Sequence, residues 1–107
     1  MTDQARPIKN IVLSQVADSA TSTTIVPTQA NSTLTGQRVG FIIENTSSAI
    51  LYVDLSGGTA TSTSYSFQLA QLERWESPAH FRIATAVTGI WATDPGDGQA
   101  TVTEFSY

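Results

Sequence analysis

No cysteine occurs among the 107 residues, which excludes disulfide staples and thiolate metal sites. Stability must therefore come from packing or from assembly. Charge is scarce as well: 13% of residues are Asp, Glu, Lys or Arg, about half the usual 25%. The cations Arg6, Lys9, Arg38, Arg74 and Arg82 are scattered, and the net charge is −4. Without a basic footprint, direct binding to DNA or RNA is not expected. No apolar run approaches the roughly 18 residues that span a bilayer, and the opening MTDQARPIKN is polar where an export signal places a basic and then an apolar segment. The expectation is a soluble chain, not exported by that route, with no membrane partner. A single histidine, His80, cannot supply the three or four converging ligands of a zinc site. No metal or other cofactor is expected.

The hydrophobic fraction is 40%, below the roughly 45–50% of average globular proteins. Serine and threonine fill the gap. Threonine favours strands and serine favours turns, so the composition suits a β-sandwich with a neutral rather than ionic solvent face. The length is that of one domain. Residues 1–10 are polar, with a proline at position 7, and are expected to form an extended N-terminal arm; residues 11–107 form a single β-sandwich domain.

Along that domain the side-chain period of two recurs. Residues 11–16 and 24–26 are weak strand candidates, joined by the polar ADSATSTT and followed by the polar connector TQANSTLTGQ. From residue 39 the alternation sharpens. Val39, Phe41 and Ile43 share one face, Asn45 to Ser48 supply turn chemistry, and residues 49–55 follow as the second arm of a candidate hairpin. Tyr65, Phe67 and Leu69 alternate cleanly. QLERWESPAH is expected to be a loop or single turn, because Pro78 breaks a helix. Phe81 and Ile83 open a further strand, residues 89–93 form a short one, DPGDG is a turn, and ATVTEFSY closes the sheet. Seven to eight short antiparallel strands predict an all-β fold, a compact jelly-roll-like sandwich, since an open sheet would leave long edges unprotected.

Catalytic chemistry finds little purchase. His80 has no nucleophile elbow to serve. Glu73 and Glu76 flank Trp75 in a way that suggests a glycosidase pair with a sugar platform, but such pairs face each other across a cleft that a domain of this size has little room to build. They are better explained as solvated loop acids. Asp94 and Asp97 lack the spacing and distal glutamate of a calcium loop and fit turn chemistry. The sequons at Asn31 and Asn45 are chance matches in a Ser/Thr-rich chain without an export signal. The expectation is a protein that is not an enzyme.

Aromatics on the strand faces are better candidates for function. In residues 49–55, Leu51, Val53 and Leu55 form one face and Ile50, Tyr52 and Asp54 the other, so both faces carry apolar side chains. Tyr52 and Trp91 fall opposite the inferred core set, where large aromatics often anchor an interface. A core position for either is equally open, because a sandwich can shift register at a bulge.

Residues 45–104 resemble small bacteriophage virion proteins, among them head decoration (cement) proteins and modules attached to head or tail fibres. The resemblance rests on the asparagine-led turn with Leu51-Tyr52-Val53, Gly57-Gly58, Tyr65 with Leu69, Glu76 before Pro78, Gly89-Ile90-Trp91-Ala92, and Gly98 through Glu104. It implies a β-sandwich that binds the assembled shell, clamps subunits of the major capsid protein, associates with itself as a homotrimer, and is made in the host cytoplasm for the capsid surface. No trimer signature is visible, and residues 1–38 lie outside the resemblance. The interface candidates are Ile50, Tyr52, Trp75 and Trp91 on the sandwich and Arg6, Pro7 and Ile8 on the arm. The alternative is a carbohydrate-binding or fibre-associated module that stacks sugars on Trp75, Trp91 or Tyr52.

Overall fold

The computed structural model describes residues 8–28, 37–78 and 83–107. Arg6, Pro7, His80 and Phe81 lie outside these residues, so the arm contacts, the histidine and the start of the strand expected at Phe81 do too. The described residues form eight strands and no helix: β1 Asn10–Ala17, β2 Thr23–Val26, β3 Arg38–Asn45, β4 Leu51–Asp54, β5 Phe67–Leu69, β6 Arg74–Glu76, β7 Val87–Trp91 and β8 Gln99–Ser106. They make two four-stranded sheets, ordered β1-β8-β3-β6 and β2-β7-β4-β5.

Every ladder is antiparallel. First pairs with last, second with seventh, third with sixth and fourth with fifth, which is the order produced by rolling one long hairpin into two layers. That order is a jelly roll. The ladders β3·β8 and β4·β7 then stitch the rolled hairpin across each sheet.

The period of two decides what enters the core. On β8, Ala100, Val102, Glu104 and Ser106 are buried, while Thr101, Thr103 and Phe105 face outward and are half-buried. Phe41 and Ile43 on β3, Leu51 and Val53 on β4, Ile25 and Val26 on β2, and Val87 and Trp91 on β7 fill the space between the sheets. At about 25 cal/mol per Å² of apolar surface removed from water, burial of these side chains is the main favourable term. Gly89 lies between Val87 and Trp91, and a Cβ there would meet Ile25 Cγ1 at 2.7 Å and Leu51 Cδ1 at 2.9 Å. The missing side chain is the space that Ile25 and Leu51 occupy.

Trp91 is therefore a core residue, 1% exposed, and not an outward-facing interface anchor. The reason is phase: Trp91 sits opposite Leu51 and Gly89 opposite Val53, so β7 buries the same alternate positions as β4. The hairpin expected from residues 39–44 and 49–55 does not form either. β3 and β4 belong to different sheets, and the turn at residues 46–50 carries the chain from one layer to the other. Asn45 holds this crossing, with its Nδ2 donating to the carbonyls of Ala49 and Leu69, both at 2.9 Å. A strand, β6, stands where a loop was expected. Its three residues pair with β3, with Trp75 opposite Ile43. Asn10, assigned to the arm, is the first residue of β1 and pairs with Ser106.

Candidate interaction surface

Most polar groups that could have carried chemistry are consumed by the fold. Arg38, at the start of β3, is 1% exposed and Glu104 2%, and they form a buried ion pair in which Arg38 Nη1 donates to Glu104 Oε2 at 2.9 Å. The remaining donors are satisfied by carbonyls: Nη1 on Pro27 at 2.7 Å, Nε and Nη2 on Ile83 at 3.2 and 2.8 Å, and Nη2 on Thr85 at 3.2 Å. The guanidinium thus ties together the chain leaving β2, the chain entering β7, and β8. Buried charges persist only with such complete pairing.

At the other end of β3, Asn45 Oδ1 accepts from Trp91 Nε1 at 3.0 Å and from the Ser47 backbone N–H at 3.1 Å. Ser47 Oγ lies 2.8 Å from Asp18 Oδ2 and 3.2 Å from Asp97 Oδ1, so one hydroxyl proton is shared between two carboxylates. Hydrogen bonds from Ser48, through its hydroxyl and its backbone N–H, and a weaker one from Ser47 hold the Asp97 carboxyl below the usual aspartate range. Gly98 completes this corner. A Cβ there would stand 2.5 Å from the backbone of Ser47, so only glycine allows the 94–98 turn to lie against residues 46–48. Asp97 therefore clamps a turn. Among the described residues no three His, Asp or Glu side chains converge on a metal position.

Glu73 and Glu76 are not brought together. Glu73 Oε1 accepts the Ala70 N–H at 2.7 Å and closes the turn between β5 and β6, where Leu72 has a positive φ of 66°. Glu76 pairs opposite Ile42. Trp75, between them, is half-buried: its ring stacks on Phe67 at 4.6 Å and 22° and meets Phe41 at 5.7 Å. It plugs the β5/β6 side of the sandwich, where the two layers would otherwise part.

Ile50 precedes β4 and is half-buried. Tyr52 lies on the outer side of the β2-β7-β4-β5 sheet, half-buried, with its ring 4.9 Å from that of Tyr65 and tilted by 52°. Tyr65 Oη donates to Gln68 Oε1 at 3.2 Å. Two rings at that tilt do not lie side by side as a flat sugar platform. Beyond them this face is threonine-rich, and an open groove of about 640 Å³ runs over it between residues 20–24 and 57–61, with Thr88 and Ile90 on its floor.

The outer side of the other sheet differs. Ladder register places Ile11 beside Phe105, and Leu13, Thr103 and Ile42 in one row. Ile8, Ile11 and Leu13 are 45%, 61% and 72% exposed, and a hollow of about 300 Å³ lies among Ile8, Val39, Ile42, Glu76, Ser77 and Phe105. Isolated exposed apolar residues are ordinary, but a contiguous set that ends at a sheet edge marks an interaction surface. Sequence reasoning included Ile8 but missed Ile11 and Leu13. The signal was present in IVLSQV, where both alternate sets begin with large aliphatic residues. No protein-family model, curated protein or solved structure matches the chain.

Proposed function

We propose that this protein is a bacteriophage capsid decoration protein that binds the assembled shell at its surface and stabilises it by bridging subunits of the major capsid protein. What supports this reading is the apolar strip of Ile8, Ile11, Leu13, Ile42 and Phe105 on the β1-β8-β3-β6 sheet, continuous with the point where residues 1–7 join the domain. A surface with few charges loses less on docking than an ionic one, because charged groups are the costly ones to strip of water. The jelly roll supplies a base, and the polar segment read from the sequence as an arm extends the footprint to a neighbouring subunit. Function is then adhesion, with no active site, no cofactor and no contact with nucleic acid or membrane.

The test mixes the purified protein with empty shells assembled from a major capsid protein of the genome that encodes it. Co-sedimentation and a raised shell melting temperature are expected. Removing residues 1–7, which leaves the β1 ladder complete, is expected to weaken binding at least tenfold without changing the circular dichroism spectrum. Absence of co-sedimentation for the intact protein would overturn the reading.

A further inference from the structure

Four strands of the jelly roll are sheet edges, and three of them are protected. β5 and β6 have three residues each, and β6 carries Arg74 and Glu76. β2 has four residues, a register shift between Thr24 and Val26, and Pro27 directly after it. Short length, charge, irregularity and proline are the devices by which natural sheets discourage edge pairing. β1 has none of them: eight residues, NIVLSQVA, without charge, proline or glycine, in a ladder with β8 that runs unshifted over all eight pairs. Lys9 stands one residue outside.

The direction of the unused backbone groups follows from the ladder. In an antiparallel pair, alternate residues turn N–H and C=O toward the partner. Asp18 N–H donates to Gly98 C=O one step beyond the ladder, so Asn10, Val12, Ser14 and Val16 bond to β8. Ile11, Leu13, Gln15 and Ala17 turn theirs to the open side, where no described strand pairs with them. Their side chains are also the exposed set of β1.

The geometry points to a second copy of this chain as the occupant of that edge, paired antiparallel through β1 about a two-fold axis to make one eight-stranded sheet. Three observations select a copy. Residues 10–17 carry no charge, so pairing there adds no like-charge contact between copies that each carry −4. β1 is the only unprotected edge among the described strands, so it must serve on both sides, which makes the contact isologous. In every antiparallel register that brings the unused backbone groups together, Ile11, Leu13, Gln15 and Ala17 oppose members of the same set, so no charged side chain enters the seam and both outer strips join. A seam of roughly 27 Å covers less than the about 800 Å² per partner of a standard interface. The dimer therefore forms and dissociates with concentration. It does not rest on the shell-binding reading, although it shares Ile11 and Leu13 with that strip, and it differs from the three-fold assembly that the phage resemblance implies.

Sedimentation equilibrium over a wide concentration range tests it. A monomer–dimer equilibrium is expected for the natural chain, and Leu13→Lys, at an exposed position, is expected to weaken dimerisation at least tenfold with an unchanged circular dichroism spectrum. Amide exchange of Ile11, Leu13 and Gln15 is expected to slow at least tenfold with rising concentration in the natural chain and not in Leu13→Lys. The absence of cysteine allows a further readout: among the single substitutions Ile11→Cys, Leu13→Cys and Gln15→Cys, the one nearest the two-fold axis is expected to give a covalent dimer on oxidation, and Thr63→Cys, in an exposed loop, is not. A monomer at all concentrations, a trimer, or a dimer indifferent to Leu13→Lys would overturn the pairing and leave the shell-binding test standing.

Discussion

At one end of β3 a guanidinium is buried against a carboxylate, and at the other end an amide, hydroxyls and an indole share the burial of polar atoms. Arg38 makes five hydrogen bonds from one side chain. Around Asn45, comparable bonding is spread over Asn45, Ser47, Trp91, Asp18 and Asp97. Individual charge-assisted bonds are stronger, yet the charged end draws five of them from one side chain, and its loss removes all five at once. The distributed end loses bonds one at a time. Concentrated and distributed polar networks thus hold the same two sheets together with different tolerance to damage.

The largest expected effect breaks the charged end. Arg38→Met takes a guanidinium and its five hydrogen bonds away from the buried Glu104 and three carbonyls, and should lower unfolding free energy by about 3–5 kcal/mol in urea titration. Arg38→Met combined with Glu104→Leu should recover most of that loss, since an apolar replacement of both partners is often near neutral. Next, Asn45→Ala removes two donated and two accepted bonds but no charge, and should cost about 2–3 kcal/mol, visible as a lower thermal midpoint. The comparison fails if Asn45→Ala proves the more damaging of the two.

Acid sharpens it further. Asp97 titrates below the usual range when folded, so its contribution is fully present above about pH 4, the unfolded value, and is lost as pH falls through the folded one. Asp97→Asn should flatten the acid limb of a stability–pH curve measured by urea unfolding at a series of pH values. Smallest of all, Ser106 Oγ is buried beside the charged end and has no hydrogen-bond partner. Ser106→Ala should leave stability within about 0.5 kcal/mol or raise it slightly, because the hydroxyl is desolvated without return.

Alternation made much of the fold legible. ATVTEFSY was readable as a strand because Ala100 and Val102 alternate with Thr101 and Thr103, and β8 spans nearly the same residues. Period specifies a face but not a partner, so β3 and β4 were expected to pair across a turn that in fact crosses between layers. β6 escaped notice because RWE offers one inward aromatic between two charges. Trp91 was ambiguous because a glycine two residues earlier hides the phase of its strand. The ion pair had a signal that went unused: Glu104 falls in step with Ala100 and Val102, and Arg38 heads the run containing Phe41 and Ile43, but only the three-dimensional fold brings positions 66 residues apart together. The Ile11–Leu13 strip depends on β1 being an edge, which topology decides.

The nested pairing of the jelly roll also has a consequence for synthesis. β8 lies between β1 and β3, and Asn10 pairs with Ser106, so an inner strand of one sheet leaves the ribosome after the seven other described strands. Until it emerges, β1 and β3 have no common neighbour, and the nascent chain must wait with its aliphatic segments unpaired. Pairings this distant in sequence place folding toward the millisecond-to-second end of the scale. Loss of β8 would therefore not shorten the sheet at one end but remove its middle.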